Sequence, residues 1–368
     1  MSKPPKTDTN VDDDLAPSPR ANAELIGHQD AERLFLDAVM ANTLAGAWLL
    51  TGPEGIGKAT LAYRLARFVL ADGAGQDLFG TPESLNIEAD DPVFQRVAAE
   101  GHSDLLTVER VPNPKTGRMR SEIVVDDVRR MTPFFRTSAG EGGWRISVID
   151  GAELMNASAA NAALKMIEEP PAKSLVLLVS HAPARLLPTI RSRCRSVALK
   201  PLKTEQVALL LERYRPDLDA ADLAPLSRLA DGSPGRALRL ADLGGLGLYR
   251  DLLGLLAQLP KPRALDVHGL ADRLGRPTND LAFRTTLDLL RWWLANLVRF
   301  GASGENAAAV PDGERELMAR LNASHGLERW IDVWEKVGRL QERAISVNLD
   351  RKQVVLSTFD AMEQAARS

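Results

Sequence analysis

Hydrophobic and polar positions change their pattern abruptly near Ile26. Residues 1–21 are polar, acidic and proline-rich with no apolar period, so they cannot bury enough area to offset the entropy of ordering and read as a disordered tail. Beyond Ile26, helical spacing over 29–44 gives way to the short run Ala47-Trp48-Leu49-Leu50 and then to a second helical stretch from Gly57 to Ala71. Further apolar runs fall at 105–108, 123–125, 146–149, 175–179 and 197–199, with helical stretches at 126–137 and 156–169 between them. Such alternation predicts an α/β layer around a mostly parallel sheet. After Pro201 the strand signals stop. Residues 203–245 read as short helices closed by Asp231-Gly232-Ser233-Pro234-Gly235, with Ser233 placed to cap a helix opening at Pro234. From 248 the chain is helical to its end, apart from a break at 301–313.

Composition narrows the class. A chain of 368 residues is expected to hold two or three domains at roughly 100–200 residues each, and three are carried forward. Hydrophobic residues make up 45% and charged residues 26%, without an apolar run long enough to span a membrane, and the first residues lack the apolar stretch of a secretory signal. A soluble, cytoplasmic protein without membrane partners is expected. The 46 Lys plus Arg against 49 Asp plus Glu leave a net charge of −3, which excludes a protein that coats nucleic acid by general electrostatics. One cysteine, Cys194, with five scattered histidines cannot supply a zinc ribbon or knuckle, so neither a disulfide nor a metal site is expected.

The sharpest chemistry lies at Gly52-Pro53-Glu54-Gly55-Ile56-Gly57-Lys58. This GxxxxGK spacing follows an apolar strand and opens a helix, so its backbone N–H groups can cradle phosphates while Lys58 reaches the terminal ones. The next position ordinarily supplies a Ser or Thr hydroxyl to Mg²⁺; here it is Ala59. Thr60 does not replace it, because one step along a helix turns a side chain by about 100°. The second ATPase strand, Trp144-Arg145-Ile146-Ser147-Val148-Ile149-Asp150, ends in the expected acid, but Gly151 stands where a water-polarising Glu would follow. Glu153 could substitute only if the loop brought it back, and otherwise reads as a solvated or helix-capping carboxylate. Phosphate binding survives on this reading, whereas metal and water placement are lost.

Asn156-Ala157-Ser158-Ala159-Ala160-Asn161-Ala162-Ala163-Leu164-Lys165-Met166-Ile167-Glu168-Glu169-Pro170-Pro171 and Pro188-Thr189-Ile190-Arg191-Ser192-Arg193-Cys194 resemble the clamp-loader branch of the AAA+ ATPases. With Leu25-Ile26-Gly27-His28 and Gly232-Ser233-Pro234-Gly235-Arg236-Ala237-Leu238, the match is most similar to the delta-prime family of the bacterial DNA polymerase III clamp loader, over residues 22–245. The resemblance implies an AAA+ P-loop core at 22–201, a small helical lid at 202–247 and an all-helical oligomerisation collar at 248–368, where Asn348-Leu349-Asp350 is the remaining motif. It implies a non-hydrolysing subunit of a ring that loads a sliding clamp onto primed DNA during replication, beside gamma/tau motor subunits and a delta subunit, with the clamp met indirectly or weakly. An active AAA+ motor subunit is the alternative. The chain would belong to the DNA polymerase III holoenzyme without ATPase or polymerase activity of its own, with no cofactor required and at most weak ATP or ADP binding.

Residue by residue, the resemblance makes Arg193 an arginine finger acting in trans, and Gly52, Gly55, Gly57, Lys58, Asp150 and Arg236 a weak nucleotide site. Ser180 and His181 take the phosphate-sensing place, and Arg129, Arg130 and Arg136 face duplex in the ring's inner chamber. Relatives commonly hold a four-cysteine zinc module between the phosphate loop and the second ATPase strand; 75–122 has no cysteine, so ordinary packing or a loop must fill its place. Trp292, Trp293, Leu297 and Phe300 on one helix, and Trp330 and Trp334 on another, suggest more apolar surface than a thin helical layer needs, and hence permanent ring contacts.

Overall fold

The computed structural model describes residues 16–71, 82–140, 143–303, 310–324, 326–346 and 349–367. Its contacts divide the chain into two compact units, Met1–Asp217 with Asp231–Arg236, and Leu218–Ala230 with Ala237–Ser368. Residues 202–247, anticipated as a lid, are thus shared between the two units.

The first unit is built on five parallel strands, β1 (Gly46–Thr51), β2 (Leu105–Val108), β3 (Arg145–Asp150), β4 (Ser174–Ser180) and β5 (Arg195–Ala198), in the order β2-β3-β4-β1-β5. Around them run α1 (Gln29–Met40), α2 (Lys58–Leu70), α3 (Pro92–Ala98), α4 (Val125–Arg129), α5 (Met131–Arg136), α6 (Ala157–Glu168), α7 (Pro188–Arg191) and α8 (Thr204–Tyr214). β4 is buried along its whole length, as a central strand covered on both faces must be, and its SLVLLVS sequence accordingly shows no alternation. This α/β core is the fold class the apolar runs predicted. The run at 123–125 is an exception, since Ile123 makes only an isolated bridge to Met155 before α4 begins. The single helix anticipated at 126–137 is two short ones that meet at Arg130.

The anticipated tail ends too late. Residues 1–15 lie outside the described residues, but Arg20 is docked: its Nη2 donates to both carboxylate oxygens of Glu109 at 3.0 and 3.1 Å, and it pairs with Glu100. Two arginines of α2 hold the backbone that follows. Arg67 donates to the carbonyls of Arg20 and Asn22 at 2.8 and 2.7 Å, and Arg64 to that of Ala23 at 2.7 Å. Sequence polarity hid this strap because its partners are main-chain carbonyls, which no composition reports. In the cysteine-free region, Phe94 and Val97 of α3 are buried as ordinary packing. Among the described residues no group of three or more His, Cys, Asp or Glu side chains is placed to hold a metal ion, and no helix is long and apolar enough to cross a membrane.

The second unit is helical: α9 (Ala220–Leu229), α10 (Pro234–Asp242, which begins in the first unit), α11 (Gly245–Leu256), α12 (Ala264–Gly275), α13 (Asp280–Ser303), α14 (Asp312–Ser324), α15 (Leu327–Ser346) and α16 (Arg351–Arg367). Trp293, Leu297 and Trp330 are fully buried and Phe300 nearly so. Of the residues anticipated as ring-contact surface, Trp293, Leu297, Phe300 and Trp330 therefore serve this unit's own core, where α13 packs along α15, whereas Trp292 and Trp334 are half-buried. Of the motif at 348–350, Asn348 lies outside the described residues, and Asp350 caps α16 by accepting from Gln353 N at 3.1 Å.

Candidate functional site

Parallel register brings three strand ends to one edge of the sheet: Thr51 lies beside Ser180, and Asp150 beside Val179. The loop 52–57 leaves β1 there, at the carboxyl ends of the strands, where open α/β sheets form their ligand crevices. Two of its glycines are obligatory. At Gly52, φ is +140° and a Cβ would stand 2.5 Å from the Leu199 carbonyl oxygen; at Gly55, φ is +74° and a Cβ would lie 2.6 Å from Ser233 Oγ. Gly57 occupies the N-cap of α2.

Four consecutive carbonyls of this loop are already bonded. Lys58 Nζ donates to Pro53 O at 2.5 Å, Ser233 Oγ to Glu54 O at 2.7 Å, Gly235 N to Gly55 O at 2.9 Å, and His28 Nε2 to Ile56 O at 2.7 Å. The last bond fixes the His28 tautomer with its proton on Nε2, and burial depresses that ring's pKa, with Lys58 adding to the effect. Ser233 also accepts from Arg236 N at 3.1 Å, so the anticipated cap holds while the same hydroxyl closes over the loop. Lys58 is buried at 5% exposure, which lowers its pKa against the opposing pull of Glu153, Asp150 and Glu54.

Asp150 is half-buried beneath the loop; burial raises its pKa, Glu109 adds to this, and Lys58 opposes it. Glu153 departs from expectation. Instead of standing in solvent its side chain is fully buried, and one oxygen accepts from His181 Nδ1 at 2.5 Å. Burial works to raise its pKa, but the hydrogen bond from His181 outweighs this and holds it at about 2. The carboxylate bond in turn raises the His181 pKa against partial burial. The short helical turn after Gly151 causes the difference, since it folds Glu153 back under β4 where sequence spacing placed it outward.

The pair sets a pH window. Glu153 has a depressed folded pKa, so its contribution is present above its ordinary 4.5 and fades as pH falls toward 2; His181 has a raised one, so its contribution is present below 6.5 and fades as pH climbs through the folded value. The stability difference between the wild type and His181→Ala is expected to peak between pH 4.5 and 6.5 in urea titrations. Its size should be on the order of 1 kcal/mol, kept small by screening of a half-exposed imidazole.

Gly52, Gly55, Gly57, Lys58, Asp150 and the backbone of Arg236 therefore form one locale, with Arg236 half-buried beside it. Arg193 lies elsewhere, after α7, exposed, with Nε 2.7 Å from Glu168 Oε1 and Nη1 donating to Thr189 O at 3.2 Å. Arg129, Arg130 and Arg136 are all exposed, and Arg129 is 3.3 Å from Asp126 one turn before it. The residues that sequence reading missed are the partners. In sequence His28 and Glu168 stand out only as members of motif stretches, and the Glu153–His181 pair joins positions 28 residues apart.

The family model described as DNA polymerase III, delta subunit, matches residues 27–203. A delta' subunit of DNA polymerase III from Pseudomonas aeruginosa is 38% identical over 201 residues, 54% of this chain and 57% of that protein. The delta' subunit from Escherichia coli K12 is 34% identical over 194 residues, 53% of this chain and 54% of that protein. A DNA polymerase III tau subunit from Salmonella typhimurium is 27% identical over 228 residues, covering 61% of this chain and 33% of its own length. The chain thus spans about half the length of the delta' relatives it matches. Among solved structures, a DNA polymerase III gamma subunit-related protein from Thermotoga maritima aligns at 18% identity over 91% of this chain and 99% of that chain, with a TM-score of 0.41.

Proposed function

We propose that the chain, whose residues 27–203 match the family model described as DNA polymerase III, delta subunit, is a non-hydrolysing delta-prime member of a clamp-loader ring. The observation that carries the reading is the fate of Glu153. Ala59 and Gly151 remove the metal's hydroxyl ligand and the water-polarising acid, and the carboxylate two residues beyond Gly151 is buried and paired with His181, which holds its pKa at about 2 and makes it too weak a base to replace that acid. Hydrolysis depends on placing metal and water more than on holding phosphate.

In this role the chain supports loading of a sliding clamp onto primed DNA in the cytoplasm. Its neighbours are gamma/tau motor subunits and a delta subunit, and it meets the clamp indirectly or weakly. Arg193 serves the ATP site of a neighbouring motor subunit. Arg129, Arg130 and Arg136 offer sequence-indifferent phosphate contacts to DNA inside the assembled ring. The chain needs no cofactor or zinc and acts within the holoenzyme without ATPase or polymerase activity of its own.

The purified chain is expected to bind ADP or ATP weakly or not at all, and calorimetry should give about the same affinity with and without Mg²⁺. Lys58 and the loop amides need no metal, whereas the metal's own ligand is gone. A large Mg²⁺-dependent gain in affinity, or steady-state turnover of about 1 s⁻¹ or more, overturns the proposal in favour of a motor subunit.

A further inference from the structure

Arg193 does not stand alone on the surface. Its Nε meets Glu168 Oε1 at 2.7 Å and its Nη1 donates to Thr189 O at 3.2 Å, so two of the five guanidinium donors fix the plane of the group and others are left for a ligand. Both ends of the contact are anchored in one core. Glu168 is the last residue of α6, whose Ala159, Ala160, Ala163, Met166 and Ile167 are buried in the sheet's main apolar cluster. Arg193 lies between Ile190, buried in the same cluster, and Cys194, which packs against it.

Folding does not account for this carboxylate. Each side chain is 42% exposed, and ion pairs so open to water add little to stability. A Glu in the last turn of a helix also faces the negative end of the helix dipole, which disfavours it. Glu168 therefore sits where helix energetics argue against it, bonded to Arg193.

We infer that Glu168 is a positioning residue for Arg193, holding its guanidinium plane so that the remaining N–H groups are presented outward to a phosphate oxygen of a neighbouring subunit. The inference rests on the reading of Arg193 as a trans-acting arginine. Arginine suits such an arrangement because its planar fork, once one side is fixed, offers paired donors in a set direction at little further entropic loss.

The test uses the reconstituted clamp loader, its DNA- and clamp-stimulated ATP hydrolysis, and the variants Arg193→Ala, Glu168→Gln, Glu168→Asp and the Arg193→Ala/Glu168→Gln double. Glu168→Gln is expected to lower kcat by about tenfold, the scale on which groups that orient a functional ligand act, with assembly and the KM for ATP unchanged. Glu168→Asp should recover part of the loss. The double variant should be no slower than Arg193→Ala alone, because both changes act through one guanidinium. An unchanged or raised kcat in Glu168→Gln, or additive losses in the double variant, overturns the positioning role while leaving Arg193 as the trans arginine. If Arg193→Ala itself turns over at the wild-type rate, the trans reading fails and the positioning role goes with it.

Discussion

Replacing Arg193 by Ala in a reconstituted ring is expected to abolish clamp loading and to cut hydrolysis at the ATP site it faces by about 10²–10³-fold, with the ring still assembled. Arginines supplied in trans to a transferring phosphoryl group contribute about 10³–10⁵ in favourable cases, and the loss expected at this one site is set at and below the lower end of that range. Assembly should be spared because Arg193 is exposed and its partners, Glu168 and Thr189, belong to its own unit. On the proposed reading its own phosphate loop gives it no alternative task, since Ala59 and Gly151 replace the metal's hydroxyl ligand and the water-polarising acid, and Glu153 is paired with His181. Stimulated ATPase and clamp loading measured on the same preparation provide the check. Wild-type rates in both would reduce Arg193 to one half of a surface ion pair.

The second large effect falls on the helical unit. Glu314 of α14 is nearly buried and binds Arg228 of α9 through two contacts at 2.5 and 3.3 Å, while Tyr249 of α11 donates to it at 2.6 Å. One carboxylate thereby joins three helices. Arg228 also lies over the rings of Tyr249 and Trp292 at 5.7 and 5.4 Å. Removing one partner of such a pair leaves a charge in low dielectric with nothing to neutralise it, so Glu314→Ala should cost about 3–5 kcal/mol, nearer the lower figure because the ring contacts remain. Glu314→Gln, which keeps hydrogen bonding but not charge, should lose about half as much. Urea unfolding followed by tryptophan fluorescence reports this directly, because Trp292, Trp293, Trp330 and Trp334, four of the chain's 6 tryptophans, lie in this unit. A loss below about 1 kcal/mol, the scale of an exposed pair, would mean that water reaches Arg228.

How legible these features were in the sequence depends on the range of the interaction that fixes them. Strands 105–108, 146–149 and 175–179 and the loop 52–57 were readable because apolar runs and glycine spacing are local properties, and β2, β3, β4 and the phosphate loop stand where those signals put them. The run at 123–125 misled for the same reason: a short apolar stretch has no period of its own, and here Ile123 is buried without a neighbouring strand to pair along its length. The break between α4 and α5 was equally hidden, since Val128, Met131 and Phe135 keep a helical spacing across it. Losses at Ala59 and Gly151 could be read from single positions, but the sequestration of Glu153 required knowing that β3 and β4 are neighbours. The aromatic rows of α13 and α15 carried real information about burial and none about which surface would bury them.

Cys194 gives the chain a practical property. The thiol is half-buried and burial pushes its pKa up to about 11, so at pH 7 only about 10⁻⁴ of it is thiolate, the form that attacks an electrophile. Since it is also the only cysteine, the natural chain is close to silent toward maleimides under brief labelling. A cysteine introduced at an exposed position such as Leu265 can carry a fluorophore without any background mutation, so distances to a neighbouring subunit can be followed in an otherwise unaltered protein.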